Sequence, residues 1–338
     1  MKRNCNIKDI AEYANVSRST VSRVLNNVQT KIPVSAETRK LILDTAKKLN
    51  YHPNINAQRL ANNKSRVIGL QIPSNVNNES IFYDINFIEV LSGIEKAICR
   101  SAYRLQLIFC NQNYINNKEY LSLLQSNSID GLIIWGALTV DVYAEELFKW
   151  PVIMINSLSE QNKECSSISH DDYKGSFDLT GAIYAGGARK FIYLNGSERV
   201  SITEKRFKGF KDALIYENLS PANITVLDGD FTKESGYIRG QKIFSGKKTL
   251  DFDAVICAND LIALGVIEAA KENNFVPQKD FVLAGADGIR EINAQNLYSY
   301  KCDHNTMGST AVNKLIEHIE EENSQKINMV LPVTNINF

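Results

Sequence analysis

From residue 66 onward this 338-residue chain alternates short, nearly continuous apolar runs with amphipathic segments, and it does so twice. The first runs are RVIGLQIP, RLQLIFCN, DGLIIWG and PVIMINS, separated by helix-like stretches near 86–101, 116–127 and 141–149. The second are SSISHD, KFIYLNG, ITVLDGD, AVICAND and VLAGADG, with helix-like stretches near 172–186, 203–217, 233–245, 260–274 and 306–322. Strands apolar on both faces belong to parallel sheets covered by helices on each side. The pattern predicts an α/β body, 66–338, of two similar lobes. The division by segment is 66–160 plus 292–322 for the first lobe and 161–291 plus 323–338 for the second. In such sheets ligands bind beyond the carboxyl ends of the strands. Asp171, Asn195, Asp230, Asn259, Asp260 and Asp287 stand at those ends.

The first 65 residues read differently. Residues 1–66 carry thirteen Lys/Arg against four Asp/Glu, and the rest carries 25 against 34, so a net charge of zero hides a +9 head on a −9 body. A basic head suggests an anionic partner, nucleic acid first; solvated lysines on a small domain are the plainer alternative. In NIKDIAEYA, Ile7, Ile10, Ala11 and Ala14 have helical spacing. After Asn15-Val16, Ser17 can cap a second helix whose apolar face is Val21, Val24 and Leu25. Two short helices about a tight turn make a helix-turn-helix, whose second helix enters the major groove. Arg18, Ser19 and Ser22 then face DNA, Arg23 offers a fork for guanine or phosphate, and Thr20 suits a phosphate contact. A third helix starts at Ser35, with Glu37 and Thr38 in its first turn and Leu41, Ile42, Ala46 and Leu49 inside. It ends at Tyr51-His52-Pro53, giving an all-α DNA-binding domain over 1–53. The polar stretch 54–65 reads from spacing alone as a linker, or as a short helix that inserts Leu60 into the minor groove.

Several classes are disfavoured. No apolar run reaches eighteen residues and MKRNCNIKDIAEYA has no apolar core after its basic residues, so neither a membrane span nor a secretory signal is expected. Cys5, Cys99, Cys110, Cys165, Cys257 and Cys302 are scattered without CxxC pairs and read as reduced cytoplasmic thiols. The four histidines show no metal-ligand spacing. No GxSxG elbow, P-loop, HExxH or GxGxxG after a strand occurs, and GAIYAGGARK (181–190) reads as a helix end and turn. An enzyme is not expected, nor a cofactor.

IKDIAEYANVSRSTVSRVLNN, VSAETRKLILDTAKKLNYHPN and NAQRLANNKS, in that order, resemble the head and hinge of the lactose-repressor (LacI/GalR) family. The resemblance implies that Arg18 and Ser19 choose bases, that Ser22 and Arg23 belong to the SRV triplet, and that Asn26 joins the DNA-binding set. It implies that Leu60 pries open a central operator step and that Ala57 lets two hinge helices approach, which favours a hinge helix over a linker.

The body resembles the periplasmic sugar-binding fold of that family's regulatory core. EKRFKGFKDAL matches an effector-clamping arginine at Arg206; CANDLIALGVIEAAKE matches a polar pair at Asn259 and Asp260. VLAGADGI matches an effector aspartate at Asp287, GDFTKESGY an aromatic at Phe231, and HDDYKGSFDL an effector-facing Asp171. Phe87 stands where the family often has a cleft aromatic, though NVNNESIFYDINF lacks the NPFF wording, and GADG replaces GFDD. An arginine fork with carboxylates suits vicinal hydroxyls, and a ring covers the apolar face of a pyranose. The resemblance thus implies a homodimeric repressor of a carbohydrate operon on a pseudo-palindromic operator, released by a sugar. A purine or a phosphorylated protein as co-regulator, and a plain solute-binding protein, are the alternatives. The tail NSQKINMVLPVTNINF has no leucine heptads, so a dimer rather than a tetramer is expected.

Overall fold

The computed structural model describes residues 6–25, 33–51, 64–73, 80–136, 143–156, 165–197, 201–290, 297–321 and 325–336. The chain divides into two compact units, Met1–Ser65 and Arg66–Phe338.

In the first unit α1 (Ile7–Tyr13) starts at Asn6, whose side chain accepts from the Lys8 and Asp9 amides while Asp9 reaches back to the Asn6 amide. This reciprocal cap satisfies amides that a helix start leaves open. Asn15 takes φ 49° to turn the chain. The next helix, α2 (Arg18–Leu25), begins with Ser17 Oγ accepting from the Thr20 amide at 3.1 Å. Ser35 caps α3 (Ala36–Lys48) in the same way. Ile10, Ala11, Ala14, Val21, Val24, Ile42 and Ala46 make one small core. Leu41, expected inside, is 46% exposed. The inward stripe runs Ile42, Thr45/Ala46, Leu49, and a residue one place off that stripe is turned about 100° away.

The second unit holds two six-stranded sheets. The first-lobe strands are β1 (Val67–Pro73), β2 (Arg104–Cys110), β3 (Gly131–Trp135), β4 (Val152–Ile155), β5 (Ser166–His170) and β11 (Asn328–Leu331), in the order β11-β5-β4-β3-β1-β2. Every pairing in it is parallel. The second-lobe strands are β6 (Phe191–Leu194), β7 (Ile224–Leu227), β8 (Ala254–Cys257), β9 (Val282–Asp287), β10 (Tyr298–Lys301) and β12 (Thr334–Ile336), ordered β12-β10-β9-β8-β6-β7. Only β12 runs antiparallel to its neighbour. Alternation explains why the strands read as continuous apolar runs. Ile133, Trp135, Ile153 and Ile155 enter one core, whereas Leu132, Ile134, Val152 and Met154 enter the core on the opposite face.

The helices of this unit are α4 (Ile85–Cys99), α5 (Gln112–Asn116), α6 (Glu119–Gln125), α7 (Asp172–Ala185), α8 (Ser201–Tyr216), α9 (Lys233–Phe244), α10 (Asp260–Glu272) and α11 (His304–Glu320). Where one helix is expected near 116–127, the chain breaks at Lys118, φ 51°, and makes α5 and α6. Near 141–149 the described residues, 143 onward, form a short 3-10 turn, Glu145–Lys149, in place of the expected helix. α4 and α11 pack backbone to backbone. A Cβ on Gly93 would sit 1.9 Å from the Asn305 carbonyl oxygen, and one on Gly308 would sit 2.1 Å from that of Val90.

Hydrogen bonding corrects the segment division. Ser166–His170 and Asn328–Leu331 pair in the first lobe, and Tyr298–Lys301 pairs in the second, each opposite to the expectation. The chain therefore crosses between lobes three times: at residues 170–172, 302–304 and 331–334. Strand pairing is a long-range choice, and a linear pattern of apolar runs does not contain it.

Candidate functional site

On the first unit, Arg18 and Ser19 open α2 and are exposed, while Thr20, Ser22 and Arg23 are half-buried. Ser17 Oγ lies 2.7 Å from Ser19 Oγ and 2.8 Å from Thr20 Oγ1. A cluster of hydroxyls thus covers the helix start, with Val21 and Val24 anchoring the opposite face. Short polar side chains crowd NVSRSTVSRVLN because the buried stripe needs only every third or fourth position. Asn26, Ala57 and Leu60 lie outside the described residues.

On the second unit the site gathers around Arg206 of α8, which is 2% exposed. Its Nε and Nη2 both donate to Asp172 Oδ1 at 2.8 Å, and Nη1 donates to the Ala258 carbonyl at 2.7 Å. Nη2 also donates to Asp287 Oδ1 at 2.5 Å. The guanidinium stands 5.7 Å from the centre of the Tyr300 ring. Burial disfavours its charge, but Asp172 and then Asp287 outweigh that and hold Arg206 well above its usual range. A buried arginine of this kind stays ionised and needs its carboxylates.

Asp287 ends β9 with φ 103°, a conformation that L-residues seldom adopt, and Gly288 follows at φ 65°. Such strain costs on the order of 1–3 kcal/mol and persists where its surroundings enforce it. Here Arg206 holds one oxygen, and Asn86 Nδ2, in the first turn of α4, donates to the other at 2.8 Å. The Asn86–Asp287 bond joins the first lobe to the second. Asp260 lies behind, accepting from Ser299 Oγ at 2.8 Å and from the Ile289 amide at 3.0 Å. Burial, with the neighbouring Asp287 charge, pushes its carboxyl well above the usual range.

Asn259 caps α10 by accepting from the Ile262 amide, and its Nδ2 donates to the Phe231 carbonyl at 3.2 Å. The Phe231 ring is half-buried and lies where a Cβ on Gly196 would come within 2.3 Å. Asn195 Oδ1 is buried with no hydrogen-bond partner among the described residues. Two expected residues stand elsewhere. Asp171 caps α7 by accepting from the Lys174 amide, and its neighbour Asp172 takes the arginine instead. Phe87 is fully buried in the first-lobe core, 6.0 Å from Trp135, and Asn86 beside it makes the inter-lobe contact.

The crossovers add groups that the sequence did not single out. His170 ends β5 and His304 starts α11, with ring centroids 5.1 Å apart at 88°. His304 is 5% exposed, and burial, then His170, pushes it down to about 3. Cys165, Cys257 and Cys302 are buried free thiols. Among the described residues no helix is long and apolar enough to cross a membrane.

The arrangement offers a charged fork, carboxylates and amides, which is a recognition chemistry. The comparisons agree. Residues 6–54 match the model for bacterial regulatory proteins of the lacI family, and residues 65–337 match that for periplasmic binding proteins and the sugar binding domain of the LacI family. The transcriptional regulator MalR of Streptococcus pneumoniae is 31% identical over 281 residues, covering 81% of this chain and 82% of MalR. Catabolite control protein A of Priestia megaterium is 30% identical over 289 residues, 85% of this chain and 83% of that protein. The lac repressor dimer bound to operator and the anti-inducer ONPF shares the fold, with a TM-score of 0.82 at 23% identity over 99% of this chain and 98% of that one. Two family models that follow one another along the chain, and relatives that are regulators, make this protein a member of the LacI family, a DNA-binding transcriptional regulator and not an enzyme.

Proposed function

We propose that the protein is a dimeric repressor of a carbohydrate-utilisation operon, released from a pseudo-palindromic operator by a sugar bound between the two lobes of its core. The observation that carries this reading is the chain of contacts Asn86–Asp287–Arg206–Asp172. It places fixed donors and acceptors on both lobes at the carboxyl ends of parallel strands, where such sheets take ligands. A ligand rich in hydroxyls can replace the Asn86–Asp287 bond and bridge the lobes itself. The family that the core matches, which includes the sugar binding domain of the LacI family, favours the same ligand class. Phe231, to which the family resemblance assigns the ring-covering role, is half-buried. Arg18 and Ser19 read bases, Thr20 and Arg23 hold phosphates, and a second copy supplies the second half-site. Such a regulator works in the cytoplasm, where its DNA is.

Fluorescence anisotropy tests this directly. Protein is titrated at fixed salt against a palindrome with a central CG step, because affinity for DNA falls steeply with salt. Galactosides, glucosides, pentoses and purines are then added. Release by one sugar is the expected result. Release by a purine, or firm binding that no compound alters, overturns the sugar assignment and leaves the DNA-binding activity standing.

A further inference from the structure

Asp287, Cys302 and His304 are far from any metal-ligand spacing in the sequence, yet the fold brings them together. Their ligand atoms all lie within 4.8 Å of one another, and all three residues are buried. Cys302 is a free thiol, 4% exposed. His304 is 5% exposed, and neither of its ring nitrogens has a hydrogen-bond partner among the described residues. Leaving two such atoms buried and unpaired costs free energy unless something meets them. The charges nearby are also uneven. One guanidinium, Arg206, faces two buried carboxylates, Asp172 and Asp287.

We propose that Asp287, Cys302 and His304 form a binding site for one divalent metal ion of the zinc type, placed at the crossover between the two lobes. Thiolate, imidazole and carboxylate together are a donor set that suits zinc better than calcium or magnesium. Three protein ligands leave a fourth position for a water or another donor. Binding converts the Cys302 thiol to a thiolate, and the proton leaves to solvent. The dication then balances that thiolate and the carboxylate that Arg206 leaves unmatched, so the buried cluster becomes neutral. Asp287 ends a second-lobe strand, Cys302 lies in the crossover, and His304 starts the helix that packs on the first lobe. The ion is therefore a clip on the hinge. The site shares Asp287 with the proposed sugar site but does not depend on that reading.

Cobalt(II) is the probe. The full-length protein, stripped with a chelator and kept reduced, is titrated with cobalt(II), then with zinc(II). The expected result is one tight equivalent with a sulfur-to-cobalt charge-transfer band and the intense visible bands of a tetrahedral ion, bleached by zinc. Cys302→Ser removes the charge-transfer band, His304→Gln weakens binding by at least about 10-fold, and Cys99→Ser changes neither. Zinc X-ray absorption on the parent protein gives one sulfur in the shell, a readout that needs no variant to fold. A cobalt spectrum unchanged by Cys302→Ser, a zinc shell with no sulfur or with several, or no stoichiometric binding overturns the site. No arm uses DNA or a sugar, so a failed inducer screen leaves this result untouched, and the reverse holds too.

Discussion

Arg206 has two duties that pull in different directions. It is the largest fully buried side chain among the described residues and also the proposed fork for the effector. Removing it leaves Asp172 and Asp287 buried without their partner, a change that typically costs 3–5 kcal/mol. Arg206→Ala is therefore expected to lose inducer response and also to lower the free energy of unfolding by about that amount; denaturant melts read beside anisotropy separate the two effects. Asp287→Asn keeps the shape but offers one acceptor oxygen where Asn86 and Arg206 each donate to a separate carboxylate oxygen. Its expected outcome is intact operator binding with no release by sugar, and normal release would remove Asp287 from the site. The structure brings Arg206, Asn259 and Asp287 into one cluster, and each stood in a recognisable wording: Asn259 caps a helix, Asp287 ends a strand and Arg206 lies in the second turn of α8. Asp172 and Asn86 were not legible in this way. Each is one residue from the expected one, and two adjacent residues at a helix start look alike in sequence while pointing about 100° apart. Which aspartate caps amides and which faces the arginine is decided by local backbone geometry.

At the level of elements, the sequence showed the strands with both faces buried and the capped helices well, since periodicity and caps are local signals. It gave no sign of β10, β11 and β12, whose runs are short and partly polar. The start of α2 is where element and function meet. Arg18→Ala or Ser19→Ala is expected to change which operator bases are preferred, whereas loss of a phosphate contact weakens all sequences alike. Binding measured across a set of operator variants distinguishes these, and a uniform loss would move both residues off the bases. The α4–α11 contact is equally specific. Gly93→Ala places a methyl group 1.9 Å from a carbonyl oxygen, so the helices must part. A loss of about 1–3 kcal/mol is expected from such overpacking, seen as a lower midpoint with an unchanged head; an unaltered melt would mean the pair has room to slide.

For the whole molecule, the two-unit organisation and the two-lobed body followed from charge and repeated alternation, and the path of the chain between lobes did not. That path matters most for the order in which the protein is made. Strand β11 closes one edge of the first sheet and β12 closes one edge of the second, and both come from residues 328–336. While a ribosome is still short of residue 328, β5 and β10 each present an unpaired flank. Open flanks of this kind invite pairing with other chains. A chain stopped at residue 327 is expected to partition into aggregates, measured as the soluble fraction beside the full-length protein, and equal solubility would show that the flanks are shielded some other way. The head, with its own core, is made first, but neither lobe of the body can be closed ahead of the other: both sheets wait for the same stretch, 328–336, so the two lobes become complete together.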